Sequence, residues 1–211
     1  MLKKTALKYL GYGKGEVPGE IDRLLDETIL EIEKTAQPKA AAALFYLEQE
    51  PLRIQETGDR IPGNQMKELM ADCEKCLLVG CTLGISMERK IKLYEKVNMT
   101  RAVVMDAAAS AYLEQFCDAY EEKLGYPDRT YRACPGYGDF PLAFNQIIGK
   151  LLDISRKLGI TITESGLMIP QKSMLGVIGI GDTGRKKSCE SCVRKKDCPF
   201  RKRGERCYET D

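Results

Sequence analysis

Between Arg132 and Phe140 the chain reads RACPGYGDF, which sets an arginine, a proline-glycine turn and a tyrosine within six residues, ahead of the amphipathic run FNQIIGKLLDISRKLGI. A guanidinium can clasp a carboxylate or phosphate through two parallel hydrogen bonds. A glycine turn leading to a helix start can offer bare backbone donors to an anion, and a tyrosine offers an aromatic face. Together these suit an anionic small molecule that also carries a ring. A second chemical group is Cys189-x2-Cys192-x5-Cys198-x8-Cys207, four thiols in a tail with few apolar residues. Such cysteines read as metal ligands, with zinc able to fold the segment and an iron-sulfur cluster able to make it redox-active. Cys73, Cys76 and Cys81 form a third set at C-x2-C-x4-C. Cys76 falls inside the apolar run KCLLVGCTL, which favours small buried hydrophobes over ligands there.

The chain has no histidine. That absence removes Ser-His and Cys-His catalysis, imidazole metal sites and any histidine ligand to a corrinoid cobalt. Nine cysteines without a secretory h-region in MLKKTALKYL point to thiols in a reducing compartment, so a cytoplasmic location is expected. No apolar run approaches the roughly 20 residues that span a bilayer. The net charge of +2 conceals an uneven distribution. Residues 185–206 hold ten Lys or Arg against three Asp or Glu, a balance of +7 that leaves −5 on the remainder.

The 211 residues suit one large domain with an appendage. A short helix is expected over residues 3–10, followed by the loop GYGKGEVPG, whose glycines lack the strand and helix that a phosphate cradle needs. Residues 20–36 form a surface helix by their apolar spacing. AAAALFYLEQEPLRIQE has the character of two strands around Pro51. A helix over 64–73 precedes a buried strand over 75–83, and Ser86 is placed as the cap of a helix reaching Lys96. The longest helix runs from Thr100 to Leu124 with Gly125 as its stop. Its alanine-rich half admits close packing, and Asp106, Ser110 and Glu114 fall on one face, where a ligand or arginine contact is expected for Glu114. One helix is expected from the apolar pattern through Leu158 to Gly159, then strands at ITITES and MLGVIGIG. Gly179-Ile-Gly181-Asp-Thr-Gly184 follows a strand but lacks a following helix, so it reads as the exit from the core. Helices and strands in no strict alternation make the fold class α+β.

Through RACPGYGDFPL and ITITESGLMIPQKSMLGVIG, residues 40–180 resemble the S-adenosylmethionine-binding activation domain of vitamin B12-dependent methionine synthase. The matching pieces are Arg132-x-x-x-Gly136-Tyr137, a helix, Thr163-Glu164-Ser165, an apolar pair, Pro170, Ser173 and Gly176, with Asp106-Ala107, Ser110 and Glu114 upstream. The resemblance implies a twisted antiparallel sheet flanked by helices and a shallow groove for S-adenosylmethionine. It implies that Arg132 engages the methionine carboxylate, that backbone at Ala133 or Cys134, with Gly136 and Tyr137, meets the nucleoside, and that Glu114 supports as an acid. It further implies reductive methylation of cob(II)alamin, in which the protein places the sulfonium methyl and no catalytic side chain is assigned.

The chain lacks the family's methyltransferase and cobalamin modules, so it is expected to act as a stand-alone activator of a separate methionine synthase or corrinoid methyltransferase. An electron donor such as flavodoxin or ferredoxin is a further expected partner. The expected organisation is an activation-domain-like unit over 1–184, with 1–38 as its N-terminal helical part, and a basic four-cysteine tail over 185–211. Reductive activation needs electrons, which tips the tail towards iron-sulfur over zinc. Two other readings stay open: a metal-binding redox accessory protein that has lost S-adenosylmethionine, and a tail-driven nucleic-acid binder. The latter is disfavoured by the acidic main body and by the single Phe and Tyr of the tail.

Overall fold

The alanine-rich stretch expected to admit close neighbours does so. In the computed structural model, which describes residues 2–181, 188–189, 192 and 195–206, helix α5 (Met99–Lys123) buries Ala102, Ala107, Ala108, Ala109 and Ala111. Three other helices pack on it: α1 (Leu2–Tyr9), α2 (Gly19–Thr35) and α4 (Ile85–Val97). Small side chains let backbones approach, and Leu25, Ile32, Met87 and Met105 fill the space between them, all fully buried. Asn98 starts α5 by accepting the Arg101 amide at 3.0 Å, and Gly125, at φ 74°, ends it. The Glu31 carboxylate ties three of these helices together. It meets Lys90 Nζ at 2.7 Å, Tyr94 Oη at 2.8 Å and an Arg101 guanidinium nitrogen at 3.0 Å.

The strands are β1 (Lys39–Gln49), β2 (Leu52–Ile54), β3 (Lys75–Thr82) and β6 (Ser173–Ile180), in the order β2-β1-β3-β6. A separate hairpin pairs β4 (Thr161–Ile162) with β5 (Met168–Ile169). The main sheet is antiparallel. Glu48 pairs Arg53, and the amides of Gln37 and Leu47 reach Leu83 and Glu74 at opposite ends of β3. Strand β3 is buried along nearly its whole length, as an unbroken apolar run requires. The remaining helices are α3 (Asn64–Met70), α6 (Phe144–Leu152), α7 (Ile154–Leu158) and the short α8 (Pro199–Lys202). The fold is therefore α+β, an antiparallel sheet flanked by helices.

Two compact units share the chain. The first comprises residues 1–41, 80–125 and 152–174, and the second residues 42–79, 126–151 and 175–211. The division falls within β1, β3 and β6, so each unit contains one end of those strands.

Three local expectations are corrected. Ser86 does not cap α4: the cap is Gly84 at φ 82°, a conformation that favours glycine, and Ser86 lies inside the helix. The helix drawn through to Gly159 is broken at Asp153, whose φ of 52° interrupts the ladder and separates α6 from α7. Asp tolerates that left-handed conformation better than most residues, and its carboxylate takes an ion pair from Arg156 at 2.7 Å. Strand β5 was not expected. Two residues paired to two others leave no periodicity to read.

Candidate functional site

The segment before RACPGYGDF lies antiparallel along the outer edge of β6. Gly181 donates to Asp128 O at 3.0 Å, Thr130 to Gly179 O at 2.9 Å, and Ala133 and Val177 exchange amide bonds at 2.9 and 2.8 Å. The Thr130 hydroxyl accepts the Gly179 amide at 2.8 Å. In effect residues 128–133 close the sheet on that side.

This pairing lays the Arg132 side chain over Gly176. A Cβ at residue 176 would stand 2.5 Å from Arg132 Cγ and 2.8 Å from its Cδ, so only glycine leaves room for the stem. Gly179 serves the strand in the same manner against α3 and the segment after it. A Cβ there would meet Cys73 Sγ at 2.5 Å and Met70 Sδ at 2.7 Å. The glycines of the second G-x-G-x-x-G are thus explained by close approach at Gly179 and by the strand end at Gly181, while Gly184 lies outside the described residues. Arg132 is 8% exposed. A guanidinium brought this far out of water has a strong demand for anionic or carbonyl partners.

Beyond Arg132 the chain turns on Gly136, at φ 94°, and Gly138, at φ 63°. Gly136 donates to Phe140 O at 2.8 Å, Phe140 to Tyr137 O at 3.1 Å, and Tyr137 to Cys134 O at 3.3 Å. The expectation of bare donors is corrected here: the amides of Ala133, Gly136 and Tyr137 are all used within the chain. What the turn offers is shape and an aromatic ring, since Tyr137 is 65% exposed. Phe140 and Phe144 anchor the turn from below, both buried, with ring centroids 5.0 Å apart.

Asp139 fixes the far end. Its carboxylate accepts the amides of Asn64 at 2.6 Å and Gln65 at 3.3 Å, so a residue from the turn supplies the cap that Gly63 cannot give α3. Gly63, at φ 104°, is needed for the approach, because a Cβ there would come within 2.9 Å of Asp139 Oδ1. The stretch from Arg132 to Tyr137 is therefore held between two tertiary anchors, the ladder to β6 and the cap on α3. Sequence reasoning found the stretch but missed Asp139, whose only local signal is an acid after a glycine turn.

Glu114 lies half-buried on α5, in the other compact unit from Arg132. Its neighbours along the same face are paired. Lys172 Nζ reaches Asp106 at 2.7 Å and Ser110 Oγ at 2.8 Å. Thr163, Glu164 and Ser165 form the tip of the β4-β5 hairpin, where the Thr163 and Ser165 hydroxyls are 2.9 Å apart.

Cys73, Cys76 and Cys81 are buried, and burial, aided by the charges of Glu56 and Cys73, pushes the Cys76 thiol up to about 12. Their burial among apolar neighbours is what small hydrophobes show. In the tail, Cys189 and Cys198 are half-buried and Cys192 is exposed, while Cys207 lies outside the described residues. Among the described residues no three His, Cys, Asp or Glu converge as a metal site, and no helix is long and apolar enough to cross a membrane.

This architecture, an antiparallel sheet flanked by helices, has a counterpart among solved structures. No protein-family model and no curated protein matches the chain. Among solved structures it is similar to the crystal structure of the MetH reactivation domain bound to AdoHcy, with a TM-score of 0.62 over 92% of this chain and 76% of that one. The sequences are 16% identical, so the likeness establishes the fold.

Proposed function

We propose that this chain binds S-adenosylmethionine and supports the reductive methylation of a cobalamin held by a separate methionine synthase or related corrinoid protein. The observation that carries the reading is Arg132, nearly buried and seated on Gly176, just ahead in sequence of the tyrosine-bearing turn. The similar solved domain holds AdoHcy, the product that S-adenosylmethionine leaves when its methyl departs. Arg132 would take the methionine carboxylate. Ala133, Cys134, Gly136 and Tyr137 would meet the nucleoside, and Glu114 would offset the positive sulfonium and amino groups. Cob(II)alamin would gain one electron from a flavodoxin- or ferredoxin-like donor and a methyl group from the bound sulfonium, and the chain's share is to hold that methyl in line. The complete absence of histidine fits a role in which the cobalt ligands come from the partner.

Calorimetry with S-adenosylmethionine and with AdoHcy on wild type and Arg132→Ala tests the reading. Binding by wild type and a loss of about tenfold or more in the variant is expected for a charged hydrogen-bonded pair. No binding, or equal binding by both proteins, refutes it. We further propose that Cys189, Cys192, Cys198 and Cys207 hold an iron-sulfur cluster that relays the electron. Bound iron with broad visible absorption is expected from anaerobically purified protein. Stoichiometric zinc without iron would overturn the cluster.

A further inference from the structure

The ladder between residues 128–133 and β6 holds one residue too many. Arg129 bridges Ile180 at one end and Ala133 bridges Val177 at the other. Between those bridges the edge segment runs through Thr130, Tyr131 and Arg132, whereas β6 supplies only Ile178 and Gly179. The extra residue makes a β-bulge, a device that bends an edge and re-aims a side chain. Thr130 is buried at its start. Its amide donates to Gly179 O at 2.9 Å, and a regular antiparallel pair would return the Gly179 amide to the Thr130 carbonyl. That amide goes instead to Thr130 Oγ1 at 2.8 Å, and the hydroxyl donates onward to Tyr131 O at 3.0 Å. One hydroxyl thus carries the ladder into the bulge.

The bulge changes the face on which Arg132 lies. Successive side chains alternate along a strand, so Thr130 and Arg132, two apart, would share a face in a regular pairing. Gly176 and Gly179 are three apart on β6 and therefore look to opposite faces. Thr130 lies on the Gly179 side, with its Cγ2 3.1 Å from where a Cβ at 179 would stand. Arg132 lies on the Gly176 side, with Cγ at 2.5 Å and Cδ at 2.8 Å from the corresponding point. The two side chains are on opposite faces, as one inserted residue requires. In a regular pairing the arginine would turn to the face that Met70 and Cys73 already fill against Gly179.

We propose that Thr130 is a positioning residue for the ligand site, acting through Arg132. Its hydroxyl fixes the bulge, and the bulge sets the face from which the guanidinium takes the ligand carboxylate. The inference rests on the binding reading of the preceding subsection and adds a specificity to it. Thr130 touches no ligand in this role, so its loss is felt by ligands whose carboxylate Arg132 holds and not by ligands without one. Valine keeps the shape of threonine, but its methyl neither accepts the Gly179 amide nor donates to Tyr131, and a buried amide is left unsatisfied. Serine keeps the hydroxyl.

Calorimetry on wild type, Thr130→Val and Thr130→Ser tests the role, with AdoHcy and with methylthioadenosine, which shares the nucleoside and thioether but has no carboxylate. Thr130→Val should bind AdoHcy about tenfold more weakly, the scale of a misplaced charged hydrogen bond, and methylthioadenosine as wild type does. Thr130→Ser should recover AdoHcy affinity to within about threefold of wild type. Amide exchange at Gly179 should quicken in Thr130→Val and slow again in Thr130→Ser, which ties the effect to the hydroxyl. A Thr130→Val protein that has lost Gly179 protection yet binds AdoHcy as wild type does overturns the role and leaves the binding reading intact. An equal loss for both ligands, or a serine variant that protects Gly179 but binds AdoHcy no better than valine, overturns it as well. Failure of wild type to bind AdoHcy refutes the reading itself, and the positioning role with it. Thr130→Ala enters the same comparison if Thr130→Val does not fold.

Discussion

Arg132 rests on Gly176: with Cγ 2.5 Å from where a Cβ at 176 would stand, the stem of the arginine occupies space that any other residue would fill. The clashing atoms belong to a side chain, so Gly176→Ala should fold with Arg132 displaced, at a cost of about 1–3 kcal/mol. It should also weaken S-adenosylmethionine binding nearly as much as Arg132→Ala. Adding Gly176→Ala to Arg132→Ala should cost less than it does in wild type, because the colliding stem is gone. Denaturant unfolding of the four proteins measures this coupling, and strictly additive losses would contradict the contact.

Asp139 joins the turn to the start of α3 through two amide bonds. Asp139→Ala should destabilise the protein by about 0.5–2 kcal/mol, the range for a lost helix cap. It should also loosen the turn, seen as faster amide exchange at Gly136 and Tyr137. Asp139→Asn should fall between the two, since an amide oxygen can still accept.

The buried thiols set up a labelling experiment. Cys73, Cys76, Cys81 and Cys117 are at most 2% exposed, and Cys76 is additionally held up to about 12. Iodoacetamide at neutral pH should therefore leave those four untouched in the folded protein, and should modify the exposed Cys192 once the protein has been stripped of metal. All nine cysteines should react in denaturant. Peptide mass spectrometry reads both states, and rapid native labelling of Cys76 would contradict the buried strand.

Glu31 gives the fold an acid-side weakness. Burial by itself would raise its pKa, but the bonds from Lys90, Tyr94 and Arg101 outweigh burial and leave it below the ordinary 4.5. A carboxylate depressed on folding adds stability that is present above its unfolded pKa and lost as pH falls through the folded one. Thermal midpoints of wild type should thus drop as pH is lowered from about 4.5, with Glu31 contributing. Glu31→Gln should start lower at pH 7, having lost the charge that pairs Lys90 and Arg101, and should decline less over the acid window.

Much of this architecture could be read from residue patterns. The apolar run of β3 and the alanine half of α5 announce themselves, because burial on both sides of a strand and close helix packing each leave a compositional trace. Arg132, Gly136 and Tyr137 stand out as a candidate site for a different reason: their chemistry is concentrated in six residues. What stayed hidden depends on partners distant in sequence. Nothing near Gly176 says that an arginine 44 positions earlier needs its missing Cβ, and nothing near Gly63 says that Asp139 will cap the following helix. The break at Asp153 was masked by apolar spacing that continues on both sides of it. The supposed free donors of the turn failed for a related reason, since a tight glycine turn uses its own amides to close.

The ladder from Asp128 to Ala133 has a consequence for how this protein can change over evolutionary time. The residues that lead into the candidate ligand turn are also the ones that keep β6 from being a naked strand. A lineage that no longer needed the ligand could not simply let this segment drift, because each loosened bond would expose a sticky border. Selection for solubility alone would then preserve much of the neighbourhood, whereas Arg132 itself, which contributes a side chain and not an edge bond, would be free to go first. Whether related chains keep an arginine there is therefore a sharper sign of retained binding than whether they keep the turn.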